Sequence, residues 1–502
     1  MKTIESAERS SVSVQSDQPL SADDGWTPHR RQFLRMLGAG IGAAAFSSSA
    51  LAGRPGPRPG DLVEDRNFWK RVEREFILNP DKLFMNIGTA GSMPKDVLRF
   101  FRDANEEYAR ESLNGYTNFL TLRQTIAPGF GVDPDELVVS YNTSDGMCHA
   151  ILGIPWRPGD CVITTNHEHP GGNVPLQIAV DRYGVVVRRV LLPTGNNQRA
   201  ADYAALFQQA INAARAQGLT VRAMMWSSPT FLTGTMLPIR RLVDVAIANG
   251  LITICDGAHL PGMMAYNYAA LGVDFMSGAG HKWQCGPGST GILVIRNKVR
   301  SQFNPLPLPP YFPVVTSSYA PTIGGVPWSQ RATGPTATFD IGSVIQSCGS
   351  KHTPLINSLG EACKLWDGIG REKVQTYVLA LSGYLKEGIS RRWGVQALYS
   401  PKDDPELVSA LTSFNPFYYN PALITQGAVG TLPSPSTTFV NRLLEEYGII
   451  VRNTTTPVLQ PSGLTVNHFP IRISTHLWHN ARDIDRVLDA MWELATKMSR
   501  GL

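Results

Sequence analysis

Asp256, His259 and Lys282 stand in two neighbouring segments, Leu251-Ile-Thr-Ile-Cys-Asp256-Gly-Ala-His259-Leu-Pro-Gly262 and Phe275-Met-Ser277-Gly-Ala-Gly-His281-Lys282-Trp283. Each opens as a short apolar run and ends in polar residues. An acid, a histidine and a lysine therefore arrive at the ends of adjacent strands, the rim where parallel α/β sheets hold ligands. A lysine so placed can form a Schiff base with an aldehyde and afterwards move protons at a substrate Cα. A buried carboxylate can keep a pyridine nitrogen protonated, and an imidazole can donate to a phenolic oxygen. Pyridoxal 5′-phosphate (PLP) is the cofactor that asks for all three, with Lys282 and Asp256 as the catalytic pair. Taken singly these residues are weak signals, since a lone lysine is usually a solvated charge and Asp-Gly is often a turn. Their order and spacing carry the reading.

The elements needed to position them follow from hydrophobic patterning. Seven short apolar runs rich in β-branched residues predict buried strands at 136–141, 160–165, 185–190, 223–226, 251–256, 275–277 and 291–295. Helical stretches alternate with them, which predicts an α/β fold with a mainly parallel seven-stranded sheet. One intervening helix is explicit, because Ile239, Leu242, Val243, Ala246 and Ile247 recur at helical spacing before Gly250. Residues 303–335 are rich in Pro, Gly, Ser and Thr and predict a long irregular connection. The expected organisation is a leader at 1–52, a linker and N-terminal segment at 53–95, a large cofactor-binding domain at 96–340 and a small C-terminal α+β domain at 341–502.

The first 52 residues differ from the rest. His29-Arg30-Arg31-Gln32-Phe33-Leu34 precedes a weakly apolar Ala/Gly/Ser stretch that ends in Ala50-Leu51-Ala52, a pattern resembling a twin-arginine signal peptide. The expectation is export through the Tat translocase as a folded, cofactor-loaded protein, a periplasmic or otherwise exported location, and no membrane span in the mature chain. Net charge is +5, but no basic run with interleaved aromatics follows the leader, which argues against a nucleic-acid partner. The six cysteines show no CxxC pairing, and the H-x-H of His167 and His169 is a poor metal motif, so no metal is expected.

DGAHLPG followed by GHKW resembles the class V aminotransferase family of fold type I PLP enzymes, and within it the isopenicillin N epimerase-like branch, over roughly residues 80–496. The resemblance implies that Asn142-Thr143-Ser144 forms the phosphate-binding turn, with Thr143 and Ser144 as cofactor ligands at a helix N-terminus. It implies His169 as the imidazole over the pyridine ring, and His281, Ser277 and Thr333 as further cofactor contacts. Arg472, in Ile471-Arg472-Ile473-Ser474, would fork onto a substrate α-carboxylate. The stretch from Gly324 to Gly334 would reach the phosphate of a second subunit, so a homodimer is expected. Two positions depart from the family pattern, Ser228 in place of a histidine and Phe231 where Asn or Ser is usual.

The resemblance leaves the reaction open between epimerase and aminotransferase types, with a lyase or desulfurase, or a non-catalytic PLP-binding protein, as alternatives. Desulfurases of this family use a mobile cysteine near the position of Val451–Pro457, and no cysteine follows Cys363. Epimerisation asks for a second base, for which Tyr116, His149 and Tyr266 are candidates. An exported enzyme has less access to cytosolic keto acids, which favours an amino acid or peptide-like natural product as substrate. Through its leader and its family pattern alone, the chain also resembles the exported class V enzyme of pyoverdine maturation, which would be a functional analogue.

Overall fold

Each of the seven apolar runs forms a strand of one sheet: β1 (Leu137–Ser140), β2 (Asp160–Thr165), β3 (Val186–Val190), β4 (Thr220–Ser227), β5 (Ile252–Asp256), β6 (Phe275–Ala279) and β7 (Gly291–Ile295). The computed structural model describes residues 66–297, 301–314 and 340–500, all within one compact unit. The signal-like segment, the Gly324–Gly334 stretch and Thr333 lie outside the described residues. Spatial order in the sheet is β1-β7-β6-β5-β4-β2-β3, with β7 antiparallel to both neighbours and every other pairing parallel. Helices cover the faces, so β2, β5, β6 and β7 are buried along their whole length, as continuous apolar runs require. One expectation is corrected: β3 is half-buried, because it is the sheet edge and carries Arg188 and Arg189 outward.

Three crossover helices position the site. Helix α1 (Thr143–Leu152) starts directly after β1, and α2 (Pro170–Tyr183) after β2. Met147, Ala150 and Ile151 of α1 join Val162, Met225, Phe275 and Leu293 of the sheet in one core. The predicted helix α3 (Ile239–Asn249) buries Ile239, Leu242, Val243 and Ala246 and ends at Gly250 in the left-handed conformation.

The strand end opposite the site is locked by a buried ion pair. Asp274 binds Arg296 at 2.6 Å and accepts from the backbone N–H and hydroxyl of Thr253 at 2.9 and 2.8 Å. That ties the starts of β5 and β6 to the end of antiparallel β7, and thereby sets where Asp256 and Ser277 emerge.

A second, antiparallel sheet closes the site from the other side. It contains β8 (Leu411–Phe414), β9 (Arg452–Asn453) and β10 (Ile471–Ser474), in the order β9-β10-β8. Helices α4 (Arg371–Trp393) and α5 (Ala481–Ser499) accompany it, and the Trp393 ring meets Phe414 edge-on at 5.2 Å. The N-terminal segment is more than a linker. Leu83–Phe84 pairs in parallel with Ile449–Ile450, and the chain then runs between the Lys282 loop and β10, with Ser474 N–H bonded to Met85 O at 2.9 Å and Gly91 N–H to His281 O at 2.9 Å.

Candidate active site

Asp256 ends β5 with a buried carboxylate that accepts from Ala258 N–H at 3.0 Å. Burial raises its pKa and the Lys282 cation opposes the rise. Burial brings the Lys282 amine down to about 8, against the pull of Asp256 and with help from Arg472 and Arg452. A lysine needs that shift if its free base is to attack a carbonyl near neutral pH. His259 is fully buried and held as a neutral ring by burial and surrounding cations. Its Nδ1 accepts from the Trp283 indole at 3.1 Å, so the proton sits on Nε2, and Nε2 has no partner.

His169 caps α2, its Nδ1 accepting from Gly171 N–H at 3.0 Å. Its proton is likewise on Nε2, and burial with the nearby Lys282, Arg452 and Arg472 charges pushes its pKa to about 4. The loop carrying it is anchored by Glu168. That buried carboxyl accepts from Thr165 Oγ1 at 2.5 Å, Ser227 N–H at 3.2 Å and Ser227 Oγ at 2.5 Å. Ser227 is the register partner of Asp256, so Glu168 joins the ends of β2 and β4 beside the Asp256 carboxylate. Burial raises Glu168 to about 7, and Asp256 adds to the rise.

The N-termini of α1 and α2 share this rim. Thr143 opens α1, and its hydroxyl is buried without a partner. Ser144 is exposed beside the start of α2. Ser277 Oγ donates to Thr143 O at 3.0 Å, bracing the turn from below. His281 bonds through Nδ1 to Thr290 O at 3.2 Å. With that proton committed to a carbonyl, its Nε2 donates to an anion only as imidazolium, which a phosphate would itself favour.

On the far side, buried Arg472 donates from Nη1 to Phe231 O at 2.8 Å and from Nη2 to Asn86 Oδ1 at 3.4 Å, while Nε has no partner. Burial and the neighbouring Arg452 cation lower it to about 9. Gly88 is fitted here, since an added Cβ would lie 2.8 Å from Arg472 Nη2. The two departures from the expected pattern resolve differently. Ser228 is turned away, its hydroxyl on Leu237 O at 2.9 Å. The Phe231 ring faces the site, meeting His169 edge-on at 4.8 Å.

The sequence of residues 100–487 matches the aminotransferase class-V family model. The chain belongs to the aminotransferase class-V family. It is 24% identical over 442 residues to an isopenicillin N epimerase of Amycolatopsis lactamdurans, covering 85% of this chain and 98% of that one. It is 22% identical over 436 residues to a probable cysteine desulfurase of Methanothermobacter thermautotrophicus, covering 84% and 97%. Among solved structures it resembles a C-DES variant with glycine covalently linked to its PLP cofactor, at TM-score 0.63 and 20% identity over 84% of this chain and 99% of the other. The fold is that of the fold type I PLP enzymes.

This class V chain uses PLP, and its residues fit the cofactor. Three buried polar atoms at the rim lack partners, Thr143 Oγ1, His259 Nε2 and Arg472 Nε, which is costly unless a ligand satisfies them. The desolvated Lys282 lies within the electrostatic reach of Asp256. Among the described residues no group of three or more His, Cys, Asp or Glu could hold a metal. Sequence reasoning passed over four site residues of this class V chain: Glu168, Arg452, Asn86 and Thr89. Glu168 stood in plain view between two histidines after a buried strand, and a carboxyl there was the available signal. Asn86 and Thr89 had none, because their segment joins the site only through tertiary pairing.

Proposed function

We propose that this PLP-dependent class V enzyme acts at the α-carbon of an amino acid or peptide-like substrate, with Lys282 as its one proton-transfer base, in the manner of an aminotransferase. The observation that carries this reading is the placement of a desolvated lysine within the electrostatic reach of Asp256 and Arg472. PLP bound there supplies the electron sink that stabilises charge at Cα. Asp256 would hold the ring nitrogen, Thr143 and the two helix N-termini the phosphate, neutral His169 one face of the ring, and Arg472 the α-carboxylate. Lys282 would take the proton from Cα and deliver it, on the same face, to the cofactor carbon that carried the aldehyde.

The candidates for a second base favour this reading over epimerisation. Tyr116 is exposed. His149 is shifted by burial, Asp145 and Lys351, and Tyr266 by burial with smaller contributions from Cys255 and Glu406, so neither is coupled to the Lys282 amine as Asp256 is. Sulfur relay is disfavoured because Val451–Pro457 holds no cysteine. Incubation with candidate amino acids in deuterated water tests the proposal. Keto acid should appear as the visible absorbance of the loaded enzyme fades. Racemised, labelled amino acid without keto acid would show an epimerase, and an eliminated side-chain fragment a lyase.

The reading extends to an exported homodimer. Sedimentation of the purified enzyme and the N-terminus of the secreted product check that extension, a mature start near Gly53 being expected.

A further inference from the structure

Among the described residues Arg452 is a cation without a counterion, beside the arginine proposed above for an α-carboxylate. In the antiparallel pairing of β9 with β10, Arg452 stands directly opposite Arg472. Side chains at directly opposed positions share one face, with Cβ atoms about 4.5–5.5 Å apart, and like charges there are destabilising. Neither arginine has an acidic neighbour among the described residues. The contacts that Arg452 makes are long and neutral, to Thr89 Oγ1 at 3.3 Å and Asn453 O at 3.4 Å. It is half-buried, and its charge reaches Lys282, His169 and His259.

Among the described residues, Lys282, Arg472 and Arg452 face a single uncommitted carboxylate, Asp256, because the Glu168 carboxyl is enclosed by Thr165 and Ser227. With Asp256 on the ring nitrogen and an α-carboxylate on Arg472, one guanidinium stays unneutralised beside the reacting carbon. Two like charges held opposite each other at a stability cost call for two anionic groups on the ligand.

We propose that Arg452 is a second anion subsite, so that the substrate is an amino acid whose side chain ends in an acidic group. This rests on the reading of Arg472 as the α-carboxylate anchor. Arg472 and Arg452 act as a pair of clamps, one on each end of the substrate. Asn86 and Thr89, hydrogen-bonded to each other at 3.0 Å and to the two arginines, set their spacing.

The PLP-loaded enzyme tests this by binding. Spectroscopic titration compares matched acidic and neutral amino acids, L-glutamate with L-glutamine and L-aspartate with L-asparagine, in both enantiomers. Calorimetry compares glutarate with butyrate, neither of which has an amine to react. The acidic member should bind at least about tenfold more tightly, and Arg452→Gln should bring the ratio close to one while Arg452→Lys restores part of it. L-phosphoserine and L-cysteate separate carboxylate from other anionic side chains, and a preference for any of the three supports the subsite. A ratio near one in the wild type, or an unchanged ratio in both Arg452 variants, overturns it. If glutarate binds with Arg452-dependent preference but no amino acid alters the absorbance, the subsite stands and the proposed function fails.

Discussion

At the scale of single residues the site is governed by desolvation more than by hydrogen bonding, and two consequences can be measured. Lys282 is lowered to about 8, with burial outweighing Asp256. Its free base is therefore available well below the ordinary lysine range. When apoprotein is mixed with PLP, the rate at which visible absorbance grows should rise with pH through about 8. Asp256→Asn, which removes the charge that holds the lysine protonated, should move that midpoint lower still; a midpoint near the ordinary lysine value would refute the assignment. Glu168 has the opposite sign. Its folded pKa, about 7, lies above the ordinary glutamate value of 4.5, so the unfolded chain releases this proton first as pH rises. Stability is lost between about pH 4.5 and 7, at up to about 1.4 kcal/mol per pH unit for one proton. In Glu168→Gln that part of the slope should vanish from urea midpoints measured across the window. A slope equal to wild type would mean that the Glu168 carboxyl titrates normally.

At the scale of elements, the large sheet was legible and the clamps across it were not. β2 and β7 were read to the residue, because a buried parallel strand writes itself as a bounded apolar run. Asp256 and Lys282 were legible for the same reason, since each follows directly from such a run. Arg452 was not, because its meaning lies in the register of β9 on β10, and that pairing bridges 17 residues and a hairpin that no local pattern specifies. Glu168 depends on short hydroxyls at the ends of two other strands, residues too common to signal anything alone. The loop between β5 and β6 packs directly on the chain beyond Lys282. Gly262 ends DGAHLPG at a φ of +83°, and a Cβ there would lie 2.3 Å from Gln284 N. Left-handed strain and a backbone clash two residues beyond Lys282 act together. Gly262→Ala should cost at least about 2 kcal/mol and lower PLP occupancy along with the thermal midpoint. A variant as stable as wild type would show that the Gln284 backbone gives way easily.

At the scale of the whole molecule, three separate stretches of chain meet at one cluster of positive charge: the segment from Met85 to Gly91, the Lys282 loop, and strands β9 and β10. They are held there by backbone bonds such as Gly91 N–H to His281 O and Ser474 N–H to Met85 O. The fold thus keeps Arg452 and Arg472 opposite each other against their repulsion, which costs about 0.2–1 kcal/mol for an opposed pair. That cost belongs to global stability and should be visible in melting of the apoprotein. Without ligand, Arg452→Gln should melt slightly above wild type, by roughly 1–2 °C for a chain of this size. Saturating glutarate should reverse the order, because a ligand at a hundred times its Kd contributes about 2.7 kcal/mol to the wild type and only about 1.4 kcal/mol to a variant that binds it tenfold more weakly. The crossing of the two midpoints with glutarate concentration separates a functional charge from a merely structural one. If Arg452 served packing alone, the variant would melt lower at every glutarate concentration and the curves would not cross.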